Sequence, residues 1–382
     1  MDSSAITQPA AQAMIRFGLG RRGTQPVPAD PRAWLLAQLD GPDAGPTLPG
    51  TAEGLEALRY DRAFRPDPPD RHEPPLIRTA FRTLIDHAVA TDRPFRERLV
   101  WFWTNHFSVS IRQGGCGAVA CGMMQEAIRP HVTGRFADML AAVMHHPAML
   151  MYLDNAASIG PDSEIGQKNH RGLNENLARE CLELHTVSPA AGYTQADVTQ
   201  FAAVLTGWSV ETKNDPLGTV FRPRAHEPGE KVVLGRTMPE GAQGLDAALY
   251  FLGTHPATYR HLALKLVRHF VADDPPPDSV RRIEAVLRDS HGDLGAASRA
   301  LVALPAAWST PLTKLRAPQD YVIAVMRAAD LPVDKRPDPL GIMGALGQPL
   351  FNAPLPNGWA DTAADWAAPE AMLRRIDWAF GY

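Results

Sequence analysis

The 382 residues, 45% of them hydrophobic, supply enough apolar material for one large domain or two smaller ones. A formal charge of −4 gives no general attraction to nucleic-acid phosphates or anionic lipid, and no stretch approaches the ~20 apolar residues that span a bilayer. Three cysteines, Cys116, Cys121 and Cys181, are too few for a disulfide framework and fit a reducing compartment.

The chain opens on "MDSSAITQPAAQAMIRFGLG", which has no basic segment leading into an apolar run, so the expected location is the cytoplasm. Residues 1–75 are expected to hold an N-terminal helix and Pro-rich surface connections such as "RGTQPVPADPRAW". Helical periodicity then dominates. Helices are predicted near Pro75–Ala90, Pro94–Ser108, Ala118–Arg129, Gly134–Met144, Leu173–Thr186 and Gln195–Thr206. Between about 208 and 236 the pattern breaks: "WSVET" and "TVFRP" alternate as short strands around "KNDPLG", with "KVVLG" after them, and form a small inserted hairpin. Helices resume near Gly244–Leu252, Pro256–Val271, Pro277–Asp289, Gly295–Leu304 and Pro318–Ala329. Residues 331–382 contain "DPLGIMGALGQPLFNAPLPNGWAD", too apolar for a free linker and therefore expected to wrap across the helices, and a last helix near Pro369–Ala379. The expected fold is mainly α: a multi-helix bundle with one inserted β-hairpin and Pro-rich wrapping segments, the core running over 76–330 and the whole treated as one domain.

The first chemical candidate lies in "LVWFWTNHFSVS". At 100° per residue Leu99, Phe102, Trp103, His106 and Phe107 share one helix face, which buries an imidazole that needs a partner. The segment "LNENLARECLELHT" places Glu180 beside an apolar stripe of Leu173, Leu177, Cys181 and Leu184, so its carboxylate also needs a partner. Asn174 and His185 lie on the other rim of that stripe, about 16 Å apart along the axis. His106 and Glu180 are the pair expected to meet, either as a hydrogen bond that ties two helices or as a catalytic or metal-binding couple. Asp154 and Asn155 end an apolar helix, where they cap a turn or offer oxygens to a ligand. The loop after them, "SIGPDSEIGQKNHRG", has the length and polarity of a lid. "RAHEPGEKVVLG" sets His226, Glu227 and Lys231 around a turn, as a solvated hairpin or as a mobile acid–base group. Lys265, Arg268 and His269 are expected to snorkel from an apolar helix. Cys116 and Cys121 lack the second pair of a structural zinc site, and no P-loop, dinucleotide-binding or nucleophile-elbow motif is present.

The blocks "RFGLGRR", "RERLVWFWTNHFSVS", "AIRPHVTGRFADML", "HPAMLMYLDNAASIGP", "NENLARECLELHTV", "GYTQADV", "LTGW", "HEPGEKVVLG", "GQPLF" and "PNGW" together resemble the bacterial domain of unknown function family 1800, from about Ile15 to Phe380. The resemblance implies a mostly helical protein of unassigned activity. Its members are often exported and often encoded beside members of domain of unknown function family 1501, which resemble sulfatases. This chain departs from the pattern in lacking a leader and in carrying Glu227 where Asp is usual.

These readings converge on a metal-dependent hydrolase or group-transfer enzyme with a pocket between the His106 and Glu180 helices, closed by the "HEPGEK" hairpin and the C-terminal wrap. His106 and Glu180 are expected to act as base and acid or to ligate a divalent metal, and Lys231 to stabilise developing charge. Asn105, Asp154, Asn155, Asn174, Asn176 and His226 are expected to hold ligand. A haem pocket with His106 axial is a further reading. The alternative function is a non-catalytic binding or maturation partner of a sulfatase-like protein of family 1501.

Overall fold

The computed structural model describes residues 6–43, 45–309 and 314–381, so the first five residues of the N-terminal segment lie outside it. Among the described residues the chain is mainly α-helical, with two small antiparallel sheets. Strands β1 (Trp208–Glu211) and β2 (Gly218–Phe221) pair with Trp208 opposite Phe221, and β3 (Lys231–Val233) and β4 (Arg236–Met238) pair with Lys231 opposite Met238. The single expected hairpin is thus two successive ones.

The helix Pro94–His106 sits at the centre of the fold. Every residue in it except Asn105 is buried. A helix that is apolar along its middle on all sides has no solvent face to lose, and here the polar residues gather at its two ends. At the N-terminal end Arg96, Glu97 and Arg98 are all enclosed. Glu97 receives Arg129 through both carboxylate oxygens, at 2.7 and 3.0 Å, and His87 Nε2 lies 3.2 Å from Oε2. Asp43 completes the cluster, accepting from Arg129 at 3.1 Å and lying 3.3 Å from Arg96. Burial alone would raise the Glu97 pKa; the His87 hydrogen bond and Arg129 outweigh it and hold the carboxyl down to about 2. Arg98 runs to the main-chain carbonyls of Ile15, Arg16 and Gly18 and to Asp320 Oδ2 at 3.3 Å, which fixes the N-terminal "RFG" turn against the core.

Two segments expected as surface connection are structural. Asp30 caps the helix Pro31–Ala37, and a helix spans Thr51–Phe64; Leu35 and Leu55 are fully buried. Their prolines stand at or before the helix starts, where a missing N–H costs nothing, so proline content there marks helix entry.

The helix predicted over Leu173–Thr186 is α-helical only over Asn176–Glu180, then widens to a π-turn over Cys181–His185. The wider i→i+5 turn rotates the following residues away from the positions a uniform wheel assigns. His185, expected on a rim, is fully buried.

The wrap crosses the C-terminal end of the central helix and is pinned along its length. Phe351 O accepts from Ile111 N at 2.8 Å, Gln348 Oε1 accepts from Gln319 N at 2.8 Å, and Asp273 Oδ2 accepts from Ala363 N at 2.7 Å. Asn105, the one residue of the central helix that is not buried, makes a two-way bond with Trp359: its Nδ2 donates to Trp359 O at 2.9 Å and its Oδ1 accepts from Trp359 N at 2.8 Å. This close approach requires Gly358, whose φ is +77° and whose added Cβ would lie 2.5 Å from Asn105 O. Gly358→Ala is therefore expected to cost about 1–3 kcal/mol and to speed proteolysis within 355–362. An unchanged melting temperature with unchanged cleavage would show that the wrap does not depend on this contact.

Candidate active site

A cavity of about 350 Å³ lies between the C-terminal half of the central helix, the helix Pro256–Phe270 and the wrap. Its size falls in the range of about 300–1,000 Å³ usual for small-ligand sites. Trp101, Phe102 and Asn105 line it from the first helix, Lys265, Arg268 and His269 from the second, and Phe351, Trp359 and Asp361 from the wrap. The three basic residues stand at i, i+3 and i+4, so one helix face delivers them together.

His269 Nδ1 lies 3.0 and 2.9 Å from the two Asp361 carboxylate oxygens, so Nδ1–H donates to the carboxylate. Nε2 is buried and has no hydrogen-bond partner. Asp361 is itself held in place. Lys314 donates to its main-chain oxygen and stands 3.5 Å from Oδ1, while a second bond ties Lys314 to Asp273 at 2.6 Å. Burial would raise the Asp361 pKa, but His269, then Lys314 and Arg98, outweigh it and hold the carboxyl down to about 2. A carboxylate that fixes an imidazole by Nδ1 and leaves Nε2 unbonded is the arrangement of a general base.

Behind this dyad is a cluster of three histidines. His106, only 2% exposed, donates from Nε2 to His185 O at 3.1 Å, and His261 Nε2 donates to Leu184 O at 3.0 Å. Ring centroids of His106 lie 5.9 Å from His185 and 6.3 Å from His261. Desolvation, followed by the charge of Lys265, pushes His106 well below the usual histidine range, His185 to about 3 and His261 to about 4. All three are neutral at physiological pH. Lys265, open to the cavity and otherwise enclosed, is lowered to about 8 by burial, which with Arg268 outweighs the raising effect of the Asp361 charge.

The family model described as "Protein of unknown function (DUF1800)" matches residues 12–381. The chain belongs to this family. No curated protein and no solved structure matches the chain. The family description assigns no activity, and the chemistry rests on the residues.

The structure brings only some of the predicted site residues to this cavity. His106 and Asn105 line it; Glu180 does not. The partner of His106 is the His185 main chain, because the π-turn carries that carbonyl to the imidazole, while Glu180 lies on the side of Glu183 and Tyr152. Burial first, and Glu183 second, raise the Glu180 pKa. Among the described residues no group of three or more His, Cys, Asp and Glu is placed to hold a metal ion, so the metal expectation at His106 and Glu180 gains no support. His106 Nε2, occupied by a carbonyl, does not suit an axial haem role either. The three cysteines are buried free thiols, and burial pushes Cys116 up to about 12.

The other predicted ligand residues serve the fold elsewhere. Asn155, fully buried, donates to Leu205 O and Trp208 O and so anchors β1. Asp154 takes a bond from Gln113 at 2.7 Å, and Asn174 Oδ1 accepts from Asn176 N at 2.9 Å, starting the helix that follows. His226 Nδ1 donates to Thr206 O at 2.8 Å, and its Nε2 accepts from Gly241 N at 3.2 Å and lies 3.2 Å from Lys231 Nζ. Lys231, 2% exposed, also donates to Glu227 O, and Glu227 Oε2 accepts from Asp162 N, locking the lid-like loop to the hairpins. Residue reading missed Lys265, His269 and Asp361. Two signals were available for them: three bases on one helix face, and a wrap too apolar to lie free. No helix among the described residues is long and apolar enough to cross a membrane.

Proposed function

We propose that the chain is an enzyme of hydrolysis or group transfer in which His269, oriented by Asp361, is the general base and the C-terminal wrap forms one wall of the active cavity. The observation that carries this reading is the buried, unpartnered Nε2 of His269 at the wall of a ligand-sized cavity, with Nδ1 fixed by a carboxylate. In hydrolysis, a water gives its proton to Nε2 while its oxygen bonds to the electrophilic centre. The bond to the leaving group then breaks, and the imidazolium returns the proton to that group. Lys265 supplies positive charge where negative charge develops. Asn105 positions the wall through its bonds to Trp359, and the neutral histidine cluster supports the second helix from behind.

The test is turnover of a set of aryl carboxylate, phosphate and sulfate esters by wild type and His269→Asn, each checked for an unchanged melting temperature. Wild-type turnover that falls about 10²–10⁴-fold in the variant is the expected result. Equal rates, or no wild-type turnover across the set, would contradict it and favour the non-catalytic partner reading.

A further inference from the structure

Resting on the reading of this cavity as the active site, we infer that its ligand is a small organic oxyanion, with its acidic group held by Lys265 and Arg268 and its apolar body against Trp101, Phe102 and Trp359. The argument begins from the balance of charge on the wall. Arg98 is matched by Asp320 at 3.3 Å, and Asp361 is matched by Lys314 at 3.5 Å. Asp365 is engaged by Thr362, whose hydroxyl donates to it at 2.5 Å. Among the described residues the side chains of Lys265 and Arg268 form no hydrogen bond or ion pair, yet both line the cavity. Like charges three residues apart on a helix repel, and an anion between them removes that cost.

The hydrogen-bonding groups point the same way. Three obligate N–H donors on cavity-lining residues, Arg98 Nε, Trp101 Nε1 and Arg268 Nε, are buried without an acceptor. No oxygen of a lining residue is in that condition among the described residues. Besides the ring nitrogens His106 Nδ1 and His269 Nε2, the buried side-chain groups left unpartnered on this wall are N–H donors, which suits a group rich in acceptors, as ionised carboxylate, phosphate and sulfate are. The aromatic rings beside it fit an apolar or planar substituent on that group, since Phe102 packs 5.1 Å from His269, centroid to centroid.

The charges acting on Lys265 are Asp361 and Arg268, and the histidines His106, His185 and His261 in turn feel the charge of Lys265. With its pKa lowered to about 8, Lys265 is a cation at neutral pH and loses its proton as pH rises through that value, so anion binding weakens between pH 7 and 9.

Calorimetric titration at low salt tests the inference without any need for turnover. The probes are benzoate, phenyl phosphate and phenyl sulfate, against neutral phenol and cationic benzylamine. Wild type is expected to bind at least one of the three oxyanions and neither control with comparable affinity. Lys265→Met and Arg268→Met should each weaken that binding by about tenfold or more, and Lys265→Arg should retain it. Which oxyanion binds most tightly distinguishes carboxylate from phosphate and sulfate. Oxyanion binding unchanged in both methionine variants, benzylamine or phenol binding as tightly, or no oxyanion binding at all would overturn the inference. A failure of the dyad reading shows separately, as turnover that survives His269→Asn.

Discussion

Arg129→Met is expected to lose about 3–5 kcal/mol of stability, because it strips the arginine that chelates the Glu97 carboxylate, buried at 1% exposure. The substitution keeps most of the apolar bulk and removes the charge. Glu97 is then left in the core with His87 alone and must either stay ionised at high cost or take up a proton. Replacing both partners leaves no unpaired Glu97 charge in the core, so Glu97→Leu combined with Arg129→Met should recover much of the loss. Urea unfolding of the three proteins checks this, and a single-variant loss under about 1 kcal/mol would mean that the cluster behaves like a surface pair. The same carboxylate sets an acid limit. Glu97 is held at about 2, below the unfolded value of about 4.3, so its contribution is complete above that unfolded value and is lost as pH falls toward 2. Asp361, also held at about 2, adds to the loss over the same window.

Asp361→Asn is expected to reduce turnover by about 10²–10⁴-fold with a smaller effect on substrate affinity. The carboxamide can no longer serve as an ionised acceptor from both the imidazole Nδ1–H and the Lys314 ammonium. If its amide nitrogen turns toward Nδ1, the imidazole must accept there and carry its proton on Nε2, which removes the base. The variant is also expected to melt lower, since Lys314 is left with Asp273 and a main-chain oxygen. Kinetic assay on any ester that wild type turns over separates the two effects: a fall in kcat with a modest change in KM supports a positioning role. A rise in KM alone would show that Asp361 only shapes the cavity.

Much of the helical framework was legible in the residues because its helices carry regular apolar stripes and recognisable caps, as Thr194 and Asp197 do in their capping box. The wrap was legible as well, since Met343, Leu350 and Phe351 made a free linker implausible and all three are buried. The cavity beneath the wrap was not. His269 and Asp361 are 92 residues apart, on a helix and on an irregular segment, and no periodicity links them. The expected pairing of His106 with Glu180 failed for a local reason: the wheel assumed a uniform α-helix through Cys181–His185, where the chain forms a π-turn and presents a backbone carbonyl instead. Lys265 and His269 looked like snorkelling bases because the helix wheel shows which face they share and not that the wrap closes over that face.

The most direct measurement is long-range ¹H–¹⁵N correlation of the histidine side chains at neutral pH, with His269 assigned by comparison with His269→Asn. The account predicts the Nδ1–H tautomer for His269, an unprotonated Nε2 that shifts when phenyl phosphate or benzoate is added, and loss of that tautomer in Asp361→Asn. An Nε2–H tautomer in wild type, or a His269 signal indifferent both to the anions and to the Asp361 substitution, would contradict it.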